Sequence, residues 1–143
     1  MAMTDRAGQL LASARTVLVV DWPTADVTAT LARSGLRVFV RGGPGPDQYT
    51  EHEAAGTKIV VRQVAHAPDH ADLVYSYRPV DELPDIVALA RSLGARAVWV
   101  TPRSPEEDQR ARGIVESAGL HCISGLDIVD EVRRVRRTPG DLS

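Results

Sequence analysis

Thr16-Val17-Leu18-Val19-Val20-Asp21-Trp22-Pro23-Thr24 decides how the chain folds. Five residues without charge, four of them β-branched, stop at an acid, an aromatic ring, a proline and a candidate helix cap. That pattern is a parallel strand covered on both faces, running out into a loop that starts a helix. In an open α/β sheet such a corner is where ligands bind, outside the carboxyl ends of the strands.

The same rhythm extends outward in both directions. Before the strand, Ala7, Leu10, Leu11 and Ala14 recur at helical spacing. After it, a helix begins near Pro23 or Thr24, buries Val27 and Leu31, and stops at Ser34-Gly35. Residues 36–40 form a second strand. Residues 41–57, rich in glycine and proline, read as a long loop. A short third strand covers 58–62, followed by residues 63–71 with no clear helical period. The fourth strand, 72–77, leads to a helix from about Asp81 to Leu93, and residues 97–100 form the fifth strand. Ser104-Pro105-Glu106-Glu107 is a capping box with proline at the first helical position. A final strand at 120–123 precedes a second capping box, Ser124 to Asp127, and a helix carrying Ile128, Val129, Val132 and Val135. The tail from Thr138 onward is expected to fray.

Strand–helix alternation with short connections implies parallel pairing and right-handed crossovers. The expected architecture is an α/β, doubly wound, mainly parallel sheet of five or six strands with helices on both faces. All 143 residues form one domain in this reading, large enough to bury roughly 70% of the unfolded surface.

Composition narrows the function. The chain is 43% hydrophobic and 25% charged, with a formal net charge of −2. Nothing in that balance draws it to nucleic acid or a membrane. A single cysteine, Cys122, excludes an internal disulfide and fits a reducing compartment. No apolar run reaches transmembrane length and no leader pattern opens the chain, so a cytoplasmic location is expected.

The candidate site lies on the loops after the first, second, fourth and fifth strands. Trp22, Pro23 and Thr24 come from the first loop, Arg41 and Gly42 from the second, Tyr77 and Arg78 from the third, and Thr101 and Arg103 from the fourth. Arginines, hydroxyls and helix N-termini suit a phosphate, and Trp22 and Tyr77 suit stacking on an adenine. The glycine fingerprint of dinucleotide sites is missing after the first strand. Asp21, Trp22 and Pro23 stand there instead, which argues against a standard NAD site. Asp21 reads as a loop-bracing acid rather than a nucleophile, because no second acid lies two residues on. His66 and His70 have zinc-ligand spacing, but Pro68 between them interrupts a helix, so neither a metal site nor a catalytic set is expected. Arg133, Arg134, Arg136 and Arg137 read as a solvated helix end rather than a nucleic-acid patch.

From about Leu10 to Arg137 the chain resembles small bacterial and archaeal CoA-binding proteins. These are single Rossmann-like domains, similar also to the CoA-binding domain of the succinyl-CoA synthetase α-subunit. The segments that carry the resemblance are Asp72-Leu73-Val74, Tyr77-Arg78, Leu83-Pro84-Asp85-Ile86, Gly94-Ala95, Val98-Trp99-Val100 and Ala118-Gly119-Leu120. They match the family's D-L-V, aromatic-Arg, V-P-x-I, G-A-K, V-W and A-G-L segments in order and spacing. The departures fall at the ligand loops. Asp21-Trp22-Pro23 replaces a glycine-led first loop, and Arg41-Gly42-Gly43 a proline-valine-asparagine-proline. Thr101 and Arg103 stand for glutamine and glycine, and Gly125 for a cysteine.

The resemblance implies a non-catalytic module for coenzyme A or an acyl-CoA, a small nucleotide-containing ligand. Adenine is then expected near Trp22 or Arg41 and the pyrophosphate near Thr24 and Arg78. Two alternatives stay open: a degenerate member serving as a protein-interaction domain or binding another nucleotide, and an enzyme using Asp21. A homo-oligomer is compatible with any of them.

Overall fold

The computed structural model describes residues 2–42 and 48–136. In chain order the elements are α1 (Met3–Ser13), β1 (Thr16–Val20), α2 (Ala25–Arg33), β2 (Arg37–Arg41), β3 (Tyr49–Ala55), β4 (Lys58–Val64) and β5 (Leu73–Ser76). A 3-10 turn at Val80–Glu82 then leads into α3 (Leu83–Ser92), followed by β6 (Ala97–Trp99), α4 (Pro105–Ser117), β7 (His121–Ile123) and α5 (Ile128–Val135).

The strands form one sheet of seven in the order β4-β3-β2-β1-β5-β6-β7. From β2 through β1, β5 and β6 to β7 every pairing is parallel. β1 is central, with β2 on one side and β5 on the other. Its alternating residues supply both cores. Val17 and Val19 enter a cluster with residues of α1, α2 and α5, while Leu18 and Val20 enter another with residues of α3 and α4. Burial on two faces is why this strand has no polar face to alternate with.

The count of five or six strands, and the reading of 41–57 as loop, are corrected at one edge. Tyr49–Ala55 is a strand, paired antiparallel with both β2 and β4. Ala55 pairs with Lys58, so Gly56-Thr57 is a two-residue hairpin loop, and Gly56 takes φ +66°. A left-handed first position is what such a loop demands of glycine. The strand escapes notice in the sequence because one of its inward positions is an acid. Glu51 is only 7% exposed, and it is paired with Arg37 of β2 and Arg62 of β4. A charge can be buried there because both neighbouring strands bring a cation. No helix connects β4 to β5.

Helix boundaries follow local chemistry. The Ser104 hydroxyl accepts the Glu107 N–H at 3.1 Å and so caps α4. The reciprocal bond from the Ser104 N–H to the Glu107 carboxylate, which would complete the expected box, is absent among the described residues. The second expected box does not form. Asp127 itself caps α5, accepting the N–H groups of Val129 and Asp130 at 2.8 and 3.2 Å. Ser124 instead donates to Asp108 and accepts from Arg112. α3 starts at Leu83 after the 3-10 turn rather than at Asp81, and α2 is closed by Gly35 at φ +88°. The expected frayed tail from Thr138 lies outside the described residues. No helix among the described residues is long and apolar enough to cross a membrane.

Candidate functional site

The loops at the carboxyl ends of the strands are tied together before any ligand is considered. Asp21 follows β1 at φ +63°, a left-handed conformation in which aspartate is tolerated because its side chain bonds locally. Here Oδ1 accepts the Trp22 N–H at 2.9 Å, and Oδ2 accepts Arg78 Nη1 at 3.1 Å. Arg78 also donates through Nε and Nη2 to Glu82, the latter at 2.6 Å. The Glu82 and then the Asp21 carboxylates hold the guanidinium above its ordinary pKa. Backbone bonds continue the lacing: Tyr77 N–H to Val20 O, and Val100 N–H to Ile123 O. The Thr101 hydroxyl donates to Ser76 O at 3.2 Å, and Ser76 Oγ accepts the Arg78 N–H.

A cavity of about 660 Å³ opens between the loops after β1, β6 and β7 and the starts of α2 and α5. Pockets for small molecules and cofactors fall in this size range. Its apolar lining comes from Val27, Val100, Leu126 and Ile128, and its rim includes Pro23, Thr24, Thr101 and Pro102. Three carboxylates, Asp26, Asp127 and Asp130, also line it, with one cation, Arg133. The two helix starts differ. The α5 amides are capped by Asp127, whereas Thr24 at the N-cap of α2 makes no side-chain capping bond. The start of α2 is therefore the one that presents open N–H groups to a ligand.

Tyr75, in β5, lies on this cavity and is only 3% exposed. Its hydroxyl makes no hydrogen bond among the described residues. Every fully enclosed side-chain polar atom there has a partner, so the hydroxyl must open into the cavity. Burial first, then the nearby Asp127, Tyr77 and Asp21, push its pKa up to about 12. It is a proton donor throughout the physiological range.

The nine expected site residues thus separate into groups. Pro23, Thr24 and Thr101 line the cavity together. Trp22 turns its ring to Gly42, where an added Cβ would meet it at 3.1 Å, so these two pack on each other. Tyr77 is half-buried against the core, and Arg78 is held by Asp21 and Glu82. Arg41 ends β2 beside Gly42, and Arg103 is exposed on the turn before α4, with neither on the cavity lining. Gly43 lies outside the described residues.

Tyr75, Asp127 and Arg133 line the cavity as well and are not among those nine. A usable signal existed for the first: Tyr75-Ser76-Tyr77 puts polar-tipped rings on alternate positions at the carboxyl end of an otherwise apolar strand. Arg136 also departs from a solvated helix end, since it donates to four backbone carbonyls of the α1 and α2 ends. Cys122 is free and buried, and burial raises its thiol pKa to about 11. His70 meets Asp72 at 3.0 Å.

Comparison with known proteins gives a family and a fold. The model of the family described as CoA binding domain matches residues 21–126. No curated protein matches the chain. Among solved structures, Prb, a protein redesigned for binding, superposes with a TM-score of 0.62 at 18% identity, over 94% of this chain and 93% of its own. Cell-free ID.343 from Thermus thermophilus gives 0.58 at 19% identity, over 94% of this chain and 99% of its own. At these identities the structures speak for the fold. The family match spans well over half of the chain and both of the best-laced loops, and the chain belongs to the CoA binding domain family.

Proposed function

We propose that the chain is a non-catalytic module that binds coenzyme A or an acyl-CoA at the carboxyl rim of a doubly wound sheet. One observation carries this reading. The cavity sits beside the uncapped start of α2, within reach of the strand ends where open α/β sheets take ligands.

The residues fit the two halves of CoA unequally. The apolar walls and the Tyr75 hydroxyl suit an uncharged chain bearing amides. For the pyrophosphate, the open N–H groups of α2, the Thr24 hydroxyl and Arg78 are the available donors. Trp22 or Arg41, with Gly42, lies on the side where adenine would stack. Asp21 stands against a phosphate, and Arg78 must exchange a carboxylate for it. When bound, CoA supplies a thiol that carries acyl groups as thioesters. The chain's part is to hold and orient it. Both Asp21 oxygens are engaged, which supports a bracing role over a catalytic one. A single cysteine, buried in the sheet, fits a cytoplasmic setting.

Thermal unfolding tests the proposal. Millimolar CoA is expected to raise Tm by about 2–4 °C, because a ligand of the native state stabilises by mass action. Arg78→Ala should abolish the rise. A flat response to CoA and acetyl-CoA would overturn it. A second reading, a protein-interaction domain, is favoured by Val60 and Val61, which stand 43% and 54% exposed on the edge strand β4. A flat ligand response together with a stable oligomer would select it.

A further inference from the structure

We infer that the cavity takes the uncharged arm of the ligand and that the Tyr75 hydroxyl donates a hydrogen bond to a carbonyl oxygen on it, an amide or a thioester. The inference rests on the CoA reading and assigns the ligand's two ends to different places.

Charge decides the assignment. Asp26, Asp127 and Asp130 line the cavity against one guanidinium, Arg133, so a polyphosphate inside it meets net repulsion. Of the two helix starts on the cavity, that of α5 is already closed by the Asp127 carboxylate. That of α2, though uncapped, carries Asp26 in its first turn, which leaves a phosphate only the rim at Thr24. An uncharged chain meets neither obstacle. Val27, Val100, Leu126 and Ile128 offer it apolar contact.

The hydroxyl decides the polar contact. The ring is almost wholly removed from solvent, while the hydroxyl opens onto the cavity with no partner among the described residues, so an acceptor seated there would find a free donor. Burial and the neighbouring carboxylates keep it protonated, so it has a hydrogen to donate. A carbonyl oxygen is the acceptor that brings no second negative charge next to Asp127.

Titration calorimetry on the full chain tests the inference with three ligands: CoA, acetyl-CoA and 3′-phosphoadenosine 5′-diphosphate, which is the nucleotide end without the arm. Tyr75→Phe keeps the ring and removes only the donor. It should weaken CoA and acetyl-CoA about 3- to 10-fold, the range of one neutral hydrogen bond, and leave the arm-less nucleotide unchanged. Val129→Trp, which narrows the cavity from α5, should bring CoA down to the affinity of the arm-less nucleotide. Equal CoA binding by wild type and Tyr75→Phe would overturn the inference. So would an equal loss for all three ligands, or wild-type affinities that do not depend on the arm. If none of the three binds wild type, the CoA reading itself fails, an outcome distinct from these.

Discussion

Asp21 Oδ2 and Arg78 Nη1 lie 3.1 Å apart, joining the loop after β1 to the loop after β5 across the rim of the candidate site. The contact places a carboxylate where a phosphate-binding corner carries glycine, and it occupies the arginine best placed to meet a phosphate. Asp21→Asn keeps an acceptor for the Trp22 N–H and tolerates the left-handed backbone, while removing the charge. CoA affinity is expected to rise about 2- to 5-fold, the scale of a partly exposed ion pair, with little change in Tm. Parallel CoA titrations check it, and weaker binding would show that Asp21 holds Arg78 in position for the ligand.

Arg136 contributes stability at the far end of the same helical layer. Its Nη1 donates to Leu11, Ala12 and Ala14 carbonyls at 3.2–3.3 Å, and Nε to Ser34 O at 3.1 Å. The last carbonyls of α1 have no intrahelical donors, and a cation also complements that end of the dipole. Arg136→Ala is expected to cost about 2 kcal/mol, lowering Tm by about 6 °C. Denaturant melts would show this directly, and a loss within error would mean that water replaces the guanidinium.

Asp72 fixes the α1–β1 corner, accepting the Arg15 and Thr16 N–H groups at 2.8 and 3.0 Å. Burial alone would raise its pKa. The two backbone donors and His70 outweigh burial, and the carboxyl sits below its ordinary value. A depressed folded pKa stabilises fully above the unfolded value, near pH 4, and the contribution disappears as pH falls through the folded value. Asp72→Asn should therefore cost about 1–2 kcal/mol at pH 7 and progressively less below pH 4. Unfolding free energies across that range test the sign, and a cost that grows on acidification would refute it.

Periodicity made most of the architecture readable. β1 and the stripes of α2, α3 and α4 follow from local spacing alone, and Ser104 marks its own helix start. The first strand of the edge hairpin, β3, was hidden for a physical reason, whereas 58–62 was legible as a strand. Glu51 is an inward position only because Arg37 and Arg62 arrive from neighbouring strands, and no local window contains all three. The capping of α5 was misread by three residues, since Ser124 has a better partner in Asp108 from another helix.

The site was half legible. Pro23, Thr24 and Thr101 could be named because strand ends mark the rim. Tyr75, Asp127 and Arg133 join them only once α5 folds back beside α2.

The sequence by itself determined the central strand, the helical stripes and the family, because each rests on apolar spacing or on short motifs within one element. Only the tertiary structure decided β3 and its antiparallel pairings, the engagement of Arg78 by Asp21, and the acid-lined cavity with a phenol that has no partner among the described residues. Those depend on charges from distant segments meeting, and their energies are set by partners that neighbouring residues do not reveal.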